Sequence, residues 1–261
     1  MTAPDPTTEI ALRLGAFLGL FAVFALWEAL APALLRRLPR GRRWGTNLVL
    51  VAIDTAALRL LAVALPLLAV GAAVDAQAQG WGLFNALGWP GALEGVLAVL
   101  LFDLCIWAQH LVTHKVPLFW RFHRVHHADR EMDVTTAVRF HPVEILASMG
   151  VKIGLVYALG PSPWAVLAFE VLLSGTALFS HANLALPERV ERALRLVIVT
   201  PAMHLVHHSD RREEHDANYG FCLSVWDRLF GTMRAGRQGQ TGLGWAEGPE
   251  RLGWSLWLPF R

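Results

Sequence analysis

Between Ile10 and Leu35 the chain reads IALRLGAFLGLFAVFALWEALAPALL, a run broken by only two charges, Arg13 near one end and Glu28 near the other. At 1.5 Å per helical residue, about 20 such residues cross a hydrocarbon core of ~30 Å. The run therefore reads as a first membrane span. The whole chain leans the same way. Hydrophobic residues make up 54%, charged residues 17%, and the mean hydropathy is +0.41, against about 25% charged residues in an average soluble domain. The opening MTAPDPTTEI is acidic and no small-residue cleavage site closes the first run. The run is expected to stay in the mature protein rather than leave as a signal peptide.

The 261 residues suffice for one large domain or two small ones. A basic cluster, RRLPRGRR, follows the first span and holds Arg36, Arg37, Arg40, Arg42 and Arg43. A second apolar segment runs from about Asn47 to Val74, with Asp54 and Arg59 expected to face protein rather than lipid. A connector, Gln79 to Gly91, leads to a third segment, roughly Leu93 to Ala108. The last apolar stretch, Val143 to Phe179, is split by GPSP at Gly160 to Pro163 into the halves of a helical hairpin. Each half is short for a full crossing, so a shallow hairpin and two complete spans are both open. The expected fold is an all-α integral membrane helical bundle of about four to five membrane segments, with a cytoplasmic, helical, histidine-lined di-metal domain. Residues 1–92 form the N-terminal membrane segments in this reading. Residues 93–235 form the histidine-bearing catalytic domain, including the hairpin at 143–183. Residues 236–261 form a tail in which Trp254 and Trp257 suit either an interfacial anchor or ordinary packing.

Short Lys/Arg-rich loops face the cytoplasm. With RRLPRGRR on that side, the acidic N-terminus and the stretch from Asp75 to Glu94, which lacks Lys and Arg, fall outside. The third segment and the hairpin then bring every histidine to the cytoplasmic face of an inner membrane or an endoplasmic-reticulum-like one. A net charge of +2 gives no ground for a nucleic-acid partner or an acidic substrate. Cys105 and Cys222 stand apart without a C-x-x-C pair and read as small core residues.

All eleven histidines lie between His110 and His215. They fall as HLVTH (His110, His114), HRVHH (His123, His126, His127), RFHP (His141), SHAN (His181), HLVHH (His204, His207, His208) and a last His215. Positions i, i+3 and i+4 share one helix face, so each cluster can aim its imidazoles at one point. A single histidine at a helix end is more often a hydrogen-bonded residue than a ligand. Eight in three short motifs beside a membrane are costly unless they bind something. Neutral imidazole suits Fe, Cu, Zn and Ni, and eight to ten of them exceed one ion's shell but fit two ions with four or five ligands each.

The run HLVTH, WRFHRVHH, TTAVRFHPVE, HANL, HLVHHS and NYGFCLSVWDRLFGT resembles the membrane fatty acid hydroxylase/sterol desaturase superfamily over about Asp103 to Thr232. The resemblance implies two iron ions in a non-haem centre, with O2 as co-substrate, oxidising a C–H bond of a lipid from the bilayer (sterol, fatty acyl or related isoprenoid) by hydroxylation or desaturation. It implies ligand roles for His110, His114, His123, His126, His127, His204, His207 and His208, with His181 the ninth. Some members carry a further histidine where this chain has Ala185, so His141 or a water is the candidate for a tenth. His215 reads as a solvated loop residue. Metal-bound imidazoles usually donate their other N–H to a carboxylate, carbonyl or water. Asp103, two helical turns before His110, is one candidate partner, and Asp129, Asp210 and Asn218 are others. No fused electron-transfer domain is evident, so an external reductase, ferredoxin or cytochrome is expected. A haem-bearing electron carrier and a metal transporter are the competing readings. The dense H-x-x-H-H triplets suit neither a porphyrin nor a mid-membrane ion path, and no H-E-x-x-H is present for a zinc protease.

Overall fold

The computed structural model describes residues 3–64, 68–89, 91–237 and 239–261. Residues 65–67 of the expected second segment, Pro90 of the connector and Gln238 of the tail lie outside the described residues. Among the described residues the secondary structure is helical apart from isolated bridges such as Ile198 with Leu223. Five helices are long and apolar enough to cross a membrane: α1 (Pro6–Leu30), α2 (Arg40–Ala64), α5 (Gly91–Lys115), α7 (Pro142–Leu159) and α8 (Pro163–His181). Two short helices, α3 (Ala69–Gln79) and α4 (Leu83–Leu87), stand between α2 and α5. The protein is an all-α integral membrane bundle.

Local chemistry accounts for where these helices begin and end. Asp5 accepts the N–H groups of Thr7 and Thr8 at 3.0 Å, and Pro6 opens α1 where its missing N–H costs nothing. The GPSP stretch splits the hairpin by three devices. Gly160 closes α7 at φ 63°, the left-handed region, Ser162 caps α8 by accepting from Ala165 N at 3.3 Å, and Pro163 starts it. The tip rests on the connector so closely that a Cβ on Gly82 would lie 2.2 Å from Gly160 N. At 18 and 19 residues, the hairpin helices reach about 27 Å, close to the full hydrocarbon thickness. Each is thus long and apolar enough for a full crossing.

The second apolar segment differs from expectation. α2 starts at Arg40, within the basic cluster, and α3 takes up part of the stretch read as one span. The helix can begin among arginines because carboxylates neutralise them. Buried Arg43 donates to Asp129 Oδ1 at 2.7 Å and pairs closely with Asp133, while Arg36 bridges Glu28 at 2.7 Å and Asp133 at 2.5 Å. Part of the presumed loop charge is thus internal.

An apolar core centred on Ala98, Phe102, Val156, Val166 and Phe169 joins α5, α7 and α8, with the Phe102 and Phe169 rings 5.1 Å apart. α1 buries only Glu28 and presents Leu14, Leu18 and Leu26 outward, the pattern of a lipid-facing helix. The remaining helices are α6 (Pro117–His127), α9 (Glu188–Leu194), α10 (Pro201–His207), α11 (Arg212–His215), α12 (Val225–Leu229) and α13 (Leu252–Trp257). All but α9 and α12 touch or neighbour the histidines. The tail returns to α6: Trp254 packs with Val125, Ala128 and Leu258, and Arg124 donates to Leu258 O at 2.6 Å. Trp254 is therefore a packing residue, while Trp257 is 60% exposed.

Candidate metal centre

Four helices deliver the histidines to one end of the bundle. α5 runs past the expected Ala108 to Lys115, which puts His110 and His114 one turn apart with ring centroids separated by 5.0 Å. α6 carries His123, His126 and His127, the last residue of α8 is His181, and α10 with its C-cap carries His204, His207 and His208. Thr200 caps α10 and Pro201 opens it, so the short helix is set three residues before His204.

Nine imidazoles converge as two groups. His110, His114, His123, His127 and His207 form one, His126, His181, His204 and His208 the other, and within each group the available nitrogens lie within 4.8 Å of one another. All nine are buried. The rings are oriented from behind: Nδ1 of His110 donates to Tyr219 O at 2.8 Å, of His126 to Arg139 O at 3.2 Å, of His181 to Ala177 O at 2.7 Å and of His207 to Ala217 O at 2.7 Å. His123 Nδ1 donates to the Glu144 carboxylate at 2.6 Å. A ring that donates from Nδ1 and is neutral carries a lone pair on Nε2.

Those lone pairs face one another. His110 Nε2 is 3.1 Å from His123 Nε2, and His181 Nε2 is 3.1 Å from His126 Nε2 and 2.9 Å from His204 Nε2. Nε2 of His114, His127, His207 and His208 is buried with no hydrogen-bond partner. Protonation does not relieve this, because burial first, and neighbouring imidazoles second, push the pKa of His126, His127, His204 and His208 well below 6.5. His207 is also pushed well below 6.5 by burial, against the pull of its bond to Ala217. Converging lone pairs on neutral, buried imidazoles are a donor set for transition-metal ions, and five plus four of them fit two.

The expected outer partners stand elsewhere. Asp103 meets no histidine. It accepts from Cys222 N at 3.1 Å, Leu223 N at 3.0 Å and the Trp226 indole at 2.8 Å, holding the NYGFCLSVWDRLFGT stretch against α5. Asp129 is occupied by Arg43, by Asn47 at 2.9 Å and by Thr136 at 2.8 Å. Burial alone would raise its carboxyl, but Arg43 and Arg139 hold it below its ordinary value. Asp210 is exposed and accepts from Gln240 N at 2.9 Å. Asn218, in the left-handed region at φ 54°, donates to Met203 O at 3.0 Å and Arg234 O at 2.9 Å. It braces the backbone between His207 and His110 without touching either ring.

His141 belongs to neither group. It caps α7, accepting from Val143 N at 3.2 Å and donating to Leu256 O at 3.3 Å, so both nitrogens are used. His215 is no solvated loop residue: it is buried, stacks on Trp120 at 5.2 Å and 12°, and donates to Ser209 O at 3.0 Å. Sequence reasoning missed Glu144, whose signal was its place in the first turn after FHP. It also missed Asp216, 3.6 Å from His114 Nδ1.

A cavity of about 560 Å³ opens from His110 and His123 between α1, α2, α5, α7 and α8. Its near wall includes Phe140, Phe221 and Ile106, and its far end is charged.

A helical membrane bundle with a polyhistidine centre at one end and a cavity leading to it is a definite class of protein. The fatty acid hydroxylase family model matches residues 95–232, more than half of the chain, and the chain belongs to that family. It is 30% identical to an ornithine lipid hydroxylase of Rhizobium tropici over 56% of this chain and 43% of that one. It is 31% identical to human alkylglycerol monooxygenase over 60% of this chain and 34% of that one, and 30% identical to human cholesterol 25-hydroxylase over 53% and 50%. The matches thus span between a third and a half of these relatives. No solved structure matches the chain.

Proposed function

We propose that the protein hydroxylates a C–H bond of a membrane lipid with O2, using two iron ions held by the nine histidines and electrons from an external reductase, ferredoxin or cytochrome. The observation that carries this reading is the convergence of buried imidazole nitrogens in a group of five and a group of four, with Nε2 of His114, His127, His207 and His208 left without a partner. Two irons, when bound there, supply the redox chemistry by which R–H, O2, two electrons and two protons give R–OH and water. Everything else falls to the chain. Backbone carbonyls of Tyr219, Arg139, Ala177 and Ala217 hold the imidazoles in one tautomer and orientation. Glu144 adds a carboxylate behind His123, making that imidazole a more basic donor. Ile106, Phe140 and Phe221 on the near wall of the cavity give a hydrocarbon chain an apolar surface beside the centre.

The hydroxylase, monooxygenase and hydroxylase names of the three relatives support hydroxylation over desaturation. The haem reading loses support because the nine rings pack with centroids such as 4.2 Å for His181 and His204 and 4.4 Å for His110 and His207, leaving no slot for a planar macrocycle. Catalysis is assigned to residues 93–235, with the centre on the cytoplasmic face. The test is metal and product together. Purified protein should hold two irons per chain, show no Soret band, and pass one atom of 18O2 into a lipid product. A Soret band, or a single tightly held zinc without iron, overturns the reading.

A further inference from the structure

The far end of the cavity holds ionisable groups at membrane depth. Arg13 bridges Glu9 at 2.9 Å and pairs closely with Glu170, and Lys152 reaches the other oxygen of Glu170 at 2.5 Å. Glu170 and Lys152 are nearly covered, with side chains 8% and 11% exposed. Lys152 lies ten residues into α7 from Pro142, or about 15 Å from the histidine end at 1.5 Å per residue. Arg59 lines the same space and has no hydrogen bond or ion pair among the described residues. At this end three cations stand against two carboxylates, since the third carboxylate of the lining, Glu144, is at the histidine end on His123. Between this pole and the histidines Ile106, Ile145, Met149, Leu173 and Phe221 form an apolar strip of the wall, beside Gln109 and Ser148, which bond each other at 3.1 Å. A smaller cavity of about 280 Å³ shares Arg13, Thr55, Glu170 and Ser174 and lies between α1, α2 and α8.

Charges inside a bilayer are costly and are kept where they do work. A purely structural network needs neither an extra arginine nor a cavity beside it. We propose that the cavity seats a lipid with an anionic head group, carboxylate or phosphate, on Arg13, Arg59 and Lys152, and with its hydrocarbon chain directed at His110 and His123. The inference rests on the hydroxylase reading for what happens at the histidines, but not for the seating itself. Under it, the carbon brought to the centre lies far down the chain rather than beside the head group. Specificity then comes from two separated features, charge at one end and chain length at the other.

Photolabelling tests this without turnover. The full-length protein with its metals as isolated is placed in nanodiscs of neutral phosphatidylcholine. It is probed with palmitic acid carrying a diazirine near the carboxyl or near the methyl end, with palmitoyl lysophosphatidate labelled likewise, and with palmitic acid methyl ester as the neutral control. The carboxyl-end probe should mark peptides bearing Arg13 and Lys152, and the methyl-end probe those bearing Phe140 and Phe221. The preferred acid identifies the head-group chemistry. Arg59→Gln, an exposed residue with no partner to lose, should cut labelling by the acids about tenfold, as loss of a charge-assisted hydrogen bond requires, and leave the ester unchanged. Its metal content reports that it has folded. Equal labelling by acid and ester, reversed orientation, no labelling, or an Arg59→Gln variant that labels like the parent each overturns the proposal. Iron content and 18O incorporation are read separately, so the seating can fail while the hydroxylase reading stands, and the reverse.

Discussion

His207 and His215 sit eight residues apart and illustrate how differently two buried imidazoles can be employed. His207 uses Nδ1 on Ala217 O and leaves Nε2 buried without a partner, whereas His215 spends its Nδ1 on Ser209 O and its ring face on Trp120. His207→Ala should therefore lower bound iron, read by elemental analysis, and abolish lipid oxidation. His215→Ala should keep both irons and lose about 1–3 kcal/mol of stability from the vacated packing and the unpaired carbonyl. Glu144→Gln should retain metal and cost about 10–100-fold in turnover, the usual toll of altering a group behind a ligand. The pH dependence has a definite sign. His127 and His208 hold folded pKa values well below 6.5, chiefly through burial, so the unfolded chain takes up protons first as pH falls. Stability then rises with pH between the lowered values and 6.5 and flattens above it. Proton competition for the ligands acts in the same direction. Melting temperature and iron retention should both fall on acidification below about pH 6.5, and a profile flat down to pH 5 would contradict the burial of neutral rings.

At the scale of elements, the parts legible in the sequence are those set by near neighbours. The GPSP break is one, since a left-handed glycine, a serine cap and an N-terminal proline all act within four residues. The histidine clusters are another, since i and i+4 spacing fixes a shared face whatever the helix packs against. Illegible parts depend on partners far along the chain. Asp103 lies two helical turns before His110, yet its acceptor oxygens meet Cys222 and Leu223 almost 120 residues later. Asp129 lies two residues after His127 in the chain but is claimed by Arg43, 86 residues earlier. Backbone carbonyls, which carry most of the ring orientation, have no sequence signature at all. Asp103 still matters to the centre, one step removed, because the segment it pins presents Tyr219 O to His110. Asp103→Asn places an amide N–H against a backbone N–H and should cost about 1–3 kcal/mol. Turnover should fall while both irons stay, a split that elemental analysis and rate measurement on one preparation resolve.

At the scale of the molecule, every long helix has one end at the histidines and the other at a separate pole. α2 enters beside Asp129 and Asp133, α5 and α8 end in histidines, α7 begins at His141, and α1 finishes at Glu28 against Val134 and Asn183. The opposite pole gathers the hairpin tip, the connector and α3, tied by Ser162 N to Glu94 at 2.6 Å and Tyr157 to Asp75 at 2.8 Å. A bundle built this way can lie in a membrane in only two senses, and the arginines choose between them. Arg36, Arg40 and Arg43 are drawn into ion pairs, yet Arg37 and Arg42 remain at the histidine pole while the connector carries no Lys or Arg. The positive-inside bias therefore still supports the proposed cytoplasmic orientation of the histidines. Single cysteines at the exposed positions Gly41, Ala235 and Gln77, in a background lacking Cys105 and Cys222, read this directly. Gly41→Cys and Ala235→Cys should react with a membrane-impermeant maleimide only once the cytoplasmic side is opened, and Gln77→Cys should react in intact cells. Reaction of Gly41→Cys and Ala235→Cys from opposite sides would break the bundle as described. Reaction of both from outside, with Gln77→Cys protected, would keep the bundle and invert it.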